Sequence, residues 1–382
     1  MSNFFNAIGV ADMEKVHSAV IGWLFSNECE ALDKKQKSEL LCKLFGEIEK
    51  EFNTIKAKVE IYNIDILIIT DENEPNPSCW VIENKIKSSQ HSNQLDKYVD
   101  IVNGEPVKIG RSSIQVNDYK SISDKHFCFL TLVNEKPQCS KVTWKNATYK
   151  DLASLLNNLQ FQTHTDATIL KEYCECINDM TDILVDFLVN HQNYPHVFTD
   201  GSKKKTEKDF TKIKNEYGKY IADNGLETIF QKCFLLKVIE QTTNFKNHSN
   251  KIKIKETHGT ALWEYSCETK NETNLGVQFQ NGTFKVQVLR VIDEKLPQKD
   301  KEQLVNDFWK KWNNIFENKQ NLIPDWQGPN KSKGQKGPYF SFSISMQMEK
   351  EWYSYSIIEI ATCWDKMYGM CQSVLQKLKE HC

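Results

Sequence analysis

The chain has 382 residues, of which 40% are hydrophobic and 26% are charged, and its formal net charge is −2. This composition excludes a disordered polyelectrolyte and a wholesale electrostatic attraction to nucleic acid, and the length favours two folded domains. Twelve cysteines occur without any Cys-x-x-Cys motif, signal peptide or membrane-length apolar run. We therefore expect reduced thiols and a cytoplasmic protein that does not enter a membrane.

Apolar periodicity predicts alternating helices and strands in the first half of the chain. The predicted helices cover residues 12–25, with Asp12 as the N-cap, and residues 35–52, 94–102, 149–156 and 167–190. The predicted strands lie around residue 59 and over residues 65–70, 79–86, 126–133 and 141–144.

Three charged side chains interrupt the apolar strands over residues 65–70 and 79–86. Asp65 opens the first strand, and Glu83-Asn84-Lys85 closes the second. Side chains two positions apart share a face of a strand, so Glu83 and Lys85 point one way and Asn84 the other. If the strands pair, Asp65 lies across from Glu83. Because buried charges are costly unless paired or bound to a metal, this pattern indicates a site for Mg²⁺ or Mn²⁺ held jointly with a phosphate substrate.

Asp65 followed by Glu83-Asn84-Lys85 resembles the signature of the PD-(D/E)XK nuclease superfamily, although Ile64 replaces the usual proline before the first acid. Gln94-x-x-x-Tyr98 on the following helix is similar to RecB-like and lambda-exonuclease-like members. In those members this helix lies beside the metal site and touches nucleic acid.

A third element of the resemblance lies upstream. Glu14-x-x-His17-Ser18 on the first helix looks like the opening of a bacterial PD-(D/E)XK family. In that family the first-helix glutamate reaches the active site as an additional acid. The resemblance covers only the first 160 or so residues.

The resemblance implies an α/β fold with a restriction-endonuclease-like αβββαβ core, a mixed sheet flanked by helices, over residues 1–200. It implies a Mg²⁺-dependent (or Mn²⁺-dependent) nuclease that hydrolyses phosphodiester bonds in DNA, with a role in bacterial defence against phage or foreign DNA by analogy. The implied catalytic residues are Asp65, Glu83, Lys85, Glu14, Gln94 and Tyr98. The implied metal ligands are Asp65, Glu83, the Asn84 main-chain carbonyl and Glu14.

The pattern of the second half, residues 201–382, indicates an α+β domain. We expect this domain to recognise a trigger, contact DNA or form a homo-oligomer. A linker with Lys203–Lys205 precedes it, and a basic glycine-rich loop spans residues 328–340. The predicted helices cover residues 207–222, 226–242, 301–316 and 367–379. The predicted strands cover residues 251–255, 276–279, 284–289, 339–346 and 353–361, with a hairpin at Asn281-Gly282.

Other interpretations stay open at this point. Lys85 could pair with Glu83 on an exposed edge, Glu14 could be a solvated helix residue, and His17 could be a hydrogen-bonded structural histidine. Gln94 and Tyr98 could form only an amphipathic face. For the whole protein, the alternatives are a catalytically inactive nuclease fold that binds nucleic acid or a partner, and a phosphohydrolase that acts on nucleotides.

Overall fold

The structure is a computed structural model that describes most of the chain in two compact units. The first unit contains residues 1–187 and 219–229, and the second contains residues 188–218 and 230–382. The described residues are 3–88, 90, 93–109, 112–162, 165–198, 213, 215–247, 252–257, 259–268, 273–291, 296–317, 327–332, 339–349 and 351–379. The chain thus returns to the first unit once, over residues 219–229, and a single boundary at residue 200 does not describe this return. The functional assignment of the two domains stays a prediction.

Helices and strands alternate through the first unit. Its helices are α1 (Phe4–Ala7), α2 (Glu14–Leu24), α3 (Lys34–Phe45), α4 (Gln94–Val102), α5 (Tyr149–Asn157) and α6 (Thr165–Asn190), the last of which runs on to residue 190. Its strands are β1 (Ile55–Ile61), β2 (Ile64–Thr70), β3 (Ser78–Lys85), β4 (Val107–Ile109), β5 (Ser112–Ile114), β6 (Asp124–Thr131) and β7 (Lys145–Thr148).

Five of these strands form one mixed sheet in the order β1-β2-β3-β6-β7. The first three strands are an antiparallel meander, and β6 and β7 continue the sheet parallel to β3. β4 and β5 form a separate hairpin. A mixed sheet flanked by helices confirms the predicted α/β fold class.

β3 is the centre of this sheet, and every one of its side chains is buried. Val81 pairs with Leu67 on β2, and both pack in a cluster that includes Leu95 and Tyr98 of α4. The neighbouring side chain, Trp80, points to the opposite face of the sheet and contacts Phe45 of α3. A strand buried on both faces carries a continuous apolar run, as β3 does over Cys79–Ile82 before its polar end.

Two early helices differ from the prediction: α3 at its end and α2 at its start. α3 ends at Phe45 rather than residue 52, because Gly46 adopts the left-handed conformation (φ 71°) that commonly terminates helices. α2 begins at Glu14 with Met13 at the N-cap position, and Met13 makes no side-chain cap. Asp12, the predicted cap, instead forms an ion pair with Lys87.

Two predicted strands were wrong. Residues 141–144 are not a strand; Trp144 is buried against Phe127, and β7 starts one residue later. Residues 353–361 include the start of a helix, Ile357–Lys379. The Ser356 hydroxyl accepts a hydrogen bond from the Glu359 N–H, while the Glu359 carboxylate accepts from the Ser356 N–H, a reciprocal capping box.

The second unit contains an antiparallel sheet of six strands. In chain order, its helices are Glu227–Gln241, whose first three residues belong to the first unit, Gln298–Glu317 and Ile357–Lys379. Its strands are β8 (Ile252–Thr257), β9 (Thr260–Glu268), β10 (Thr273–Gln280), β11 (Thr283–Val291), β12 (Gln327–Ser332) and β13 (Tyr339–Gln347). A further helix, Glu216–Asp223, spans the point where the chain re-enters the first unit. The sheet order is β12-β13-β11-β10-β9-β8.

The predicted hairpin of this unit is confirmed. Asn281 and Gly282 join β10 to β11, and both have positive φ (48° and 73°), as a two-residue hairpin turn requires. Part of the predicted basic loop is strand β12, whereas residues 333–338 and Lys203–Lys205 lie outside the described residues. No helix among the described residues is long and apolar enough to span a lipid bilayer.

Candidate active site

Asp65, Glu83 and Lys85 lie together where β2 begins and β3 ends. The last pair in the β2–β3 ladder is Ile66 with Ile82, so Asp65 and Glu83 occupy the next position on each strand. The Lys85 Nζ atom lies 2.5 Å from Glu83 Oε1, and the two side chains are 8% and 0% exposed. This confirms that the pair is buried, which removes the interpretation of Lys85 as part of an exposed surface ion pair.

Burial and mutual charge shift the pKa of all three groups. Burial and the neighbouring Asp65 charge raise the pKa of Glu83, while burial raises the pKa of Asp65 against the opposing effect of Lys85. Burial lowers the pKa of Lys85, but the two carboxylates outweigh it and raise the pKa above its ordinary value. Lys85 is therefore a cation held between two acids.

The Asn84 backbone completes the edge of this cluster. Its N–H donates to Asp65 Oδ2 at 2.8 Å, on the β2 side of the strand. The next carbonyl, that of Lys85, accepts from Leu132 N–H at 3.0 Å on the β6 side. Because backbone groups alternate direction along a strand, the Asn84 carbonyl faces Asp65, beyond the last ladder pair.

The oxygen atoms of this cluster fit a hard divalent cation. Both carboxylate oxygens of Glu83 are buried, and Oε1 lies 2.5 Å from the Lys85 ammonium. A carboxylate has about four lone-pair sites, so Glu83 can accept further ligands besides Lys85. Carboxylate and carbonyl oxygens with room for water are the ligands that Mg²⁺ and Mn²⁺ prefer.

α4 places two further predicted residues beside the cluster. The Gln94 amide donates to the Tyr98 hydroxyl at 2.8 Å, and that hydroxyl donates to the main-chain oxygen of Asn63. Burial and the charges of Glu83 and Asp65 raise the pKa of Tyr98. Tyr98 is thus a neutral donor that links α4 to the turn preceding Asp65.

Glu14 has different partners from the other predicted acids. Its Oε1 atom accepts hydrogen bonds from the backbone N–H groups of residues 86, 87 and 88 at 2.8–2.9 Å. Across the described ranges, no three His, Cys, Asp or Glu side chains form a group that could hold a metal. The Glu14 carboxylate therefore does not join Asp65 and Glu83 in such a group, and its role as a metal ligand stays a prediction.

Comparison with known families agrees with this geometry. Residues 2–175 match the family model described as the PD-(D/E)XK nuclease superfamily. This part of the chain belongs to that superfamily. No match was found among curated proteins or solved structures. Membership suggests nuclease activity and a nucleic-acid substrate for the PD-(D/E)XK region, which lies within the first unit.

On the opposite face of β3, the PD-(D/E)XK region contains a buried polar network that the sequence did not predict. The Tyr149 hydroxyl donates to Asn84 Oδ1 at 2.5 Å, and Asn84 Nδ2 donates to Ser18 Oγ at 3.1 Å. Tyr149 is 65 positions from Asn84, so no local spacing could indicate the contact. Ser18 belongs to the Glu-x-x-His-Ser motif, which was the one available signal.

His17 is a structural residue within this network. Its Nε2–H donates to the Ala11 carbonyl at 2.8 Å, and its Nδ1 accepts from the Tyr173 hydroxyl at 3.1 Å, which together fix a neutral tautomer. Burial lowers the pKa of His17 from 6.5 to about 4. The interpretation of His17 as a hydrogen-bonded core histidine thus agrees with its observed contacts.

The pKa of His17 predicts an acid-sensitive stability. Between pH 6.5 and about 4, the unfolded chain binds a proton at His17 that the folded protein does not bind. The free energy of unfolding therefore falls as the pH is lowered through that window, and above pH 6.5 it does not depend on this group. The expected contribution is about 3 kcal/mol. Urea unfolding of wild type and His17→Gln at pH 7, 6, 5 and 4.5 measures it: the wild-type advantage should shrink with acidity, and parallel curves would contradict the prediction.

Proposed function

We propose that this protein is a nuclease that hydrolyses phosphodiester bonds in DNA with the help of Mg²⁺ or Mn²⁺. The observation that carries the proposal is the buried Glu83 carboxylate, which lies next to Asp65 at the ends of β2 and β3 and 2.5 Å from the Lys85 ammonium. Membership of the PD-(D/E)XK superfamily supports the reaction type. The intact set of two acids and a lysine favours catalysis over a binding-only role.

In this proposal Asp65, Glu83 and the Asn84 carbonyl would hold the cation. When bound, the cation supplies positive charge and Lewis acidity to a phosphate ester. The Lys85 ammonium donates hydrogen bonds to the attacking water or to a phosphate oxygen, and stabilises the negative charge on the non-bridging phosphate oxygens in the transition state. Gln94 and Tyr98 orient the turn before Asp65 and face the bound strand.

Charge complementarity explains why a cation is part of the proposal. A phosphodiester brings negative charge to a cluster that already contains two carboxylates and one ammonium, so the lysine alone cannot neutralise both acids and the substrate. A divalent cation restores the balance. The same arithmetic predicts that nucleic acid binds the metal-free protein weakly at this site.

The metal requirement gives the direct test. Purified protein is incubated with plasmid, linear duplex DNA, single-stranded DNA and RNA, each with Mg²⁺, Mn²⁺ or a chelator. We expect cleavage of DNA with either cation and none with the chelator. Cleavage of RNA alone would show that the substrate is RNA and not DNA. Metal-dependent turnover of nucleotides without polymer cutting would establish a nucleotide phosphohydrolase instead.

We also propose a role in bacterial defence against phage or foreign DNA, with the second unit recognising a trigger, contacting DNA or forming a homo-oligomer. The support is that the chain contains a second compact unit in addition to the region that matches a superfamily of nucleic-acid enzymes. A cell that expresses the protein should reduce phage plating, and Glu83→Gln should abolish the reduction. Equal plating with both proteins contradicts the role.

A further inference from the structure

The Glu14 carboxylate holds the segment that directly follows Lys85. Its Oε1 atom accepts three successive backbone N–H groups, those of residues 86, 87 and 88, at 2.9, 2.9 and 2.8 Å, and the Ser88 hydroxyl at 3.0 Å. β3 ends at Lys85, so these N–H groups lie past the strand. Hydrogen bonds to an ionised acceptor are roughly twice as strong as neutral ones.

The residue before Lys85 is attached to the same helix. Asn84 Nδ2 donates to the main-chain oxygen of Glu14 at 2.9 Å and to Ser18 Oγ at 3.1 Å. A third contact joins the ammonium of Lys87 to Asp12, just before α2. The backbone is therefore fixed to α2 on both sides of Lys85.

We propose that Glu14 is a positioning residue, which fixes the backbone after Lys85 so that the ammonium stays against Glu83. Its Oε1 already accepts four hydrogen bonds, which leaves little capacity for a metal at that atom. The side chain acts on the reaction through Lys85 and does not touch the substrate. The consequence for cleavage rests on the proposed nuclease function, but the structural effect does not.

Hydrogen exchange of the metal-free, full-length protein tests the structural effect without any activity. Glu14→Ala should speed exchange of the N–H groups of residues 86–88 by about tenfold or more, because they lose their acceptor. Glu14→Gln keeps an Oε1 acceptor and should stay closer to wild type. The β2 amides of residues 66–69 serve as the internal reference. Unchanged exchange at residues 86–88 in Glu14→Ala, with the protein folded, overturns the proposal.

Kinetics and metal binding separate a positioning residue from a metal ligand. For positioning, Glu14→Ala should lower kcat by about tenfold to a hundredfold, Glu14→Gln should recover most of it, and the Mn²⁺ affinity by calorimetry should stay within about threefold in both. A loss of Mn²⁺ affinity of about tenfold in both variants would assign Glu14 to the metal instead and overturn the inference. If wild type cuts no nucleic acid, the nuclease proposal fails, whereas the exchange result still decides the role of Glu14.

Glu39 on α3, whose side chain is partly exposed, provides the matched control. Its carboxylate pairs with Lys43 one turn along the same helix. Glu39→Ala removes the same type of side chain from a helix of the same unit, and should change neither the exchange at residues 86–88 nor kcat. Faster exchange at those residues in Glu39→Ala would show that general loosening of the unit, not Glu14, sets their protection, and would overturn the proposal.

Discussion

Replacing Glu83 by Gln or Lys85 by Met should each lower DNA cleavage by about a hundredfold or more. Glu83→Gln keeps the shape of the side chain but removes the charge that a cation needs. Lys85→Met keeps the aliphatic stem but removes the ammonium that lies 2.5 Å from Glu83 Oε1. The measurement is the single-turnover rate on duplex DNA at saturating Mg²⁺, with the melting temperature of each variant recorded to show that it is folded.

An exposed glutamate–lysine pair of the same unit provides matched controls. Lys56 on β1 pairs with Glu72 in the turn after β2, and both side chains are more than two-fifths exposed. Glu72→Gln and Lys56→Met make the same chemical changes away from Glu83. We expect these variants to cut within about threefold of wild type, because exposed ion pairs contribute little. Cleavage by the Glu83 and Lys85 variants at this control level would refute the catalytic assignment.

Trp80→Ala should lower the free energy of unfolding of the first unit by about 3–5 kcal/mol. Trp80 has no exposed surface, stacks on His126 with ring centroids 3.9 Å apart, and meets Phe45 edge-on at 5.0 Å. Its Nε1–H donates to the Thr70 hydroxyl at 3.1 Å. Truncation would leave a large cavity beside the central strand and an unpaired hydroxyl. Urea unfolding followed by circular dichroism measures the loss.

Two comparisons make the Trp80 result interpretable. Ile48, which is 89% exposed, should change stability by no more than about 0.5 kcal/mol when replaced by Ala. Trp80→Phe retains most of the aromatic packing and should fall between wild type and Trp80→Ala. A loss of less than about 1 kcal/mol for Trp80→Ala would mean that the β3 core can collapse around the missing ring.

The convergence of Asp65, Glu83 and Lys85 could be predicted because strand side chains alternate with a period of two. That rule needs only the local sequence and one assumption, that the two apolar strands pair. The contact between Tyr149 and Asn84 depends instead on how α5 packs against the sheet, which local spacing does not determine. The partners of Glu14 escaped prediction for the same reason, since they are backbone groups, whose positions leave no sequence pattern.

The errors in secondary structure have local causes. Gly46 stops α3 within an otherwise helical apolar pattern, and the Ser356–Glu359 capping box starts a helix where a strand was predicted. Both signals were present in the sequence but were outweighed by hydrophobic periodicity. In the second unit the hairpin at Asn281-Gly282 was predicted from its turn, whereas β9 and β12 carried no comparable signal.

The return of residues 219–229 to the first unit affects how that unit folds during synthesis. Within this segment Ile221 and Leu226 are completely buried, and Gly225 lies beside Lys87, in the segment after the candidate active site. A growing chain that has emerged only to Phe187 lacks these side chains. About 40 further residues must leave the ribosome first, a delay on the order of seconds. Until then the nascent nuclease region stays incomplete, which postpones any activity until part of the second unit has also been translated.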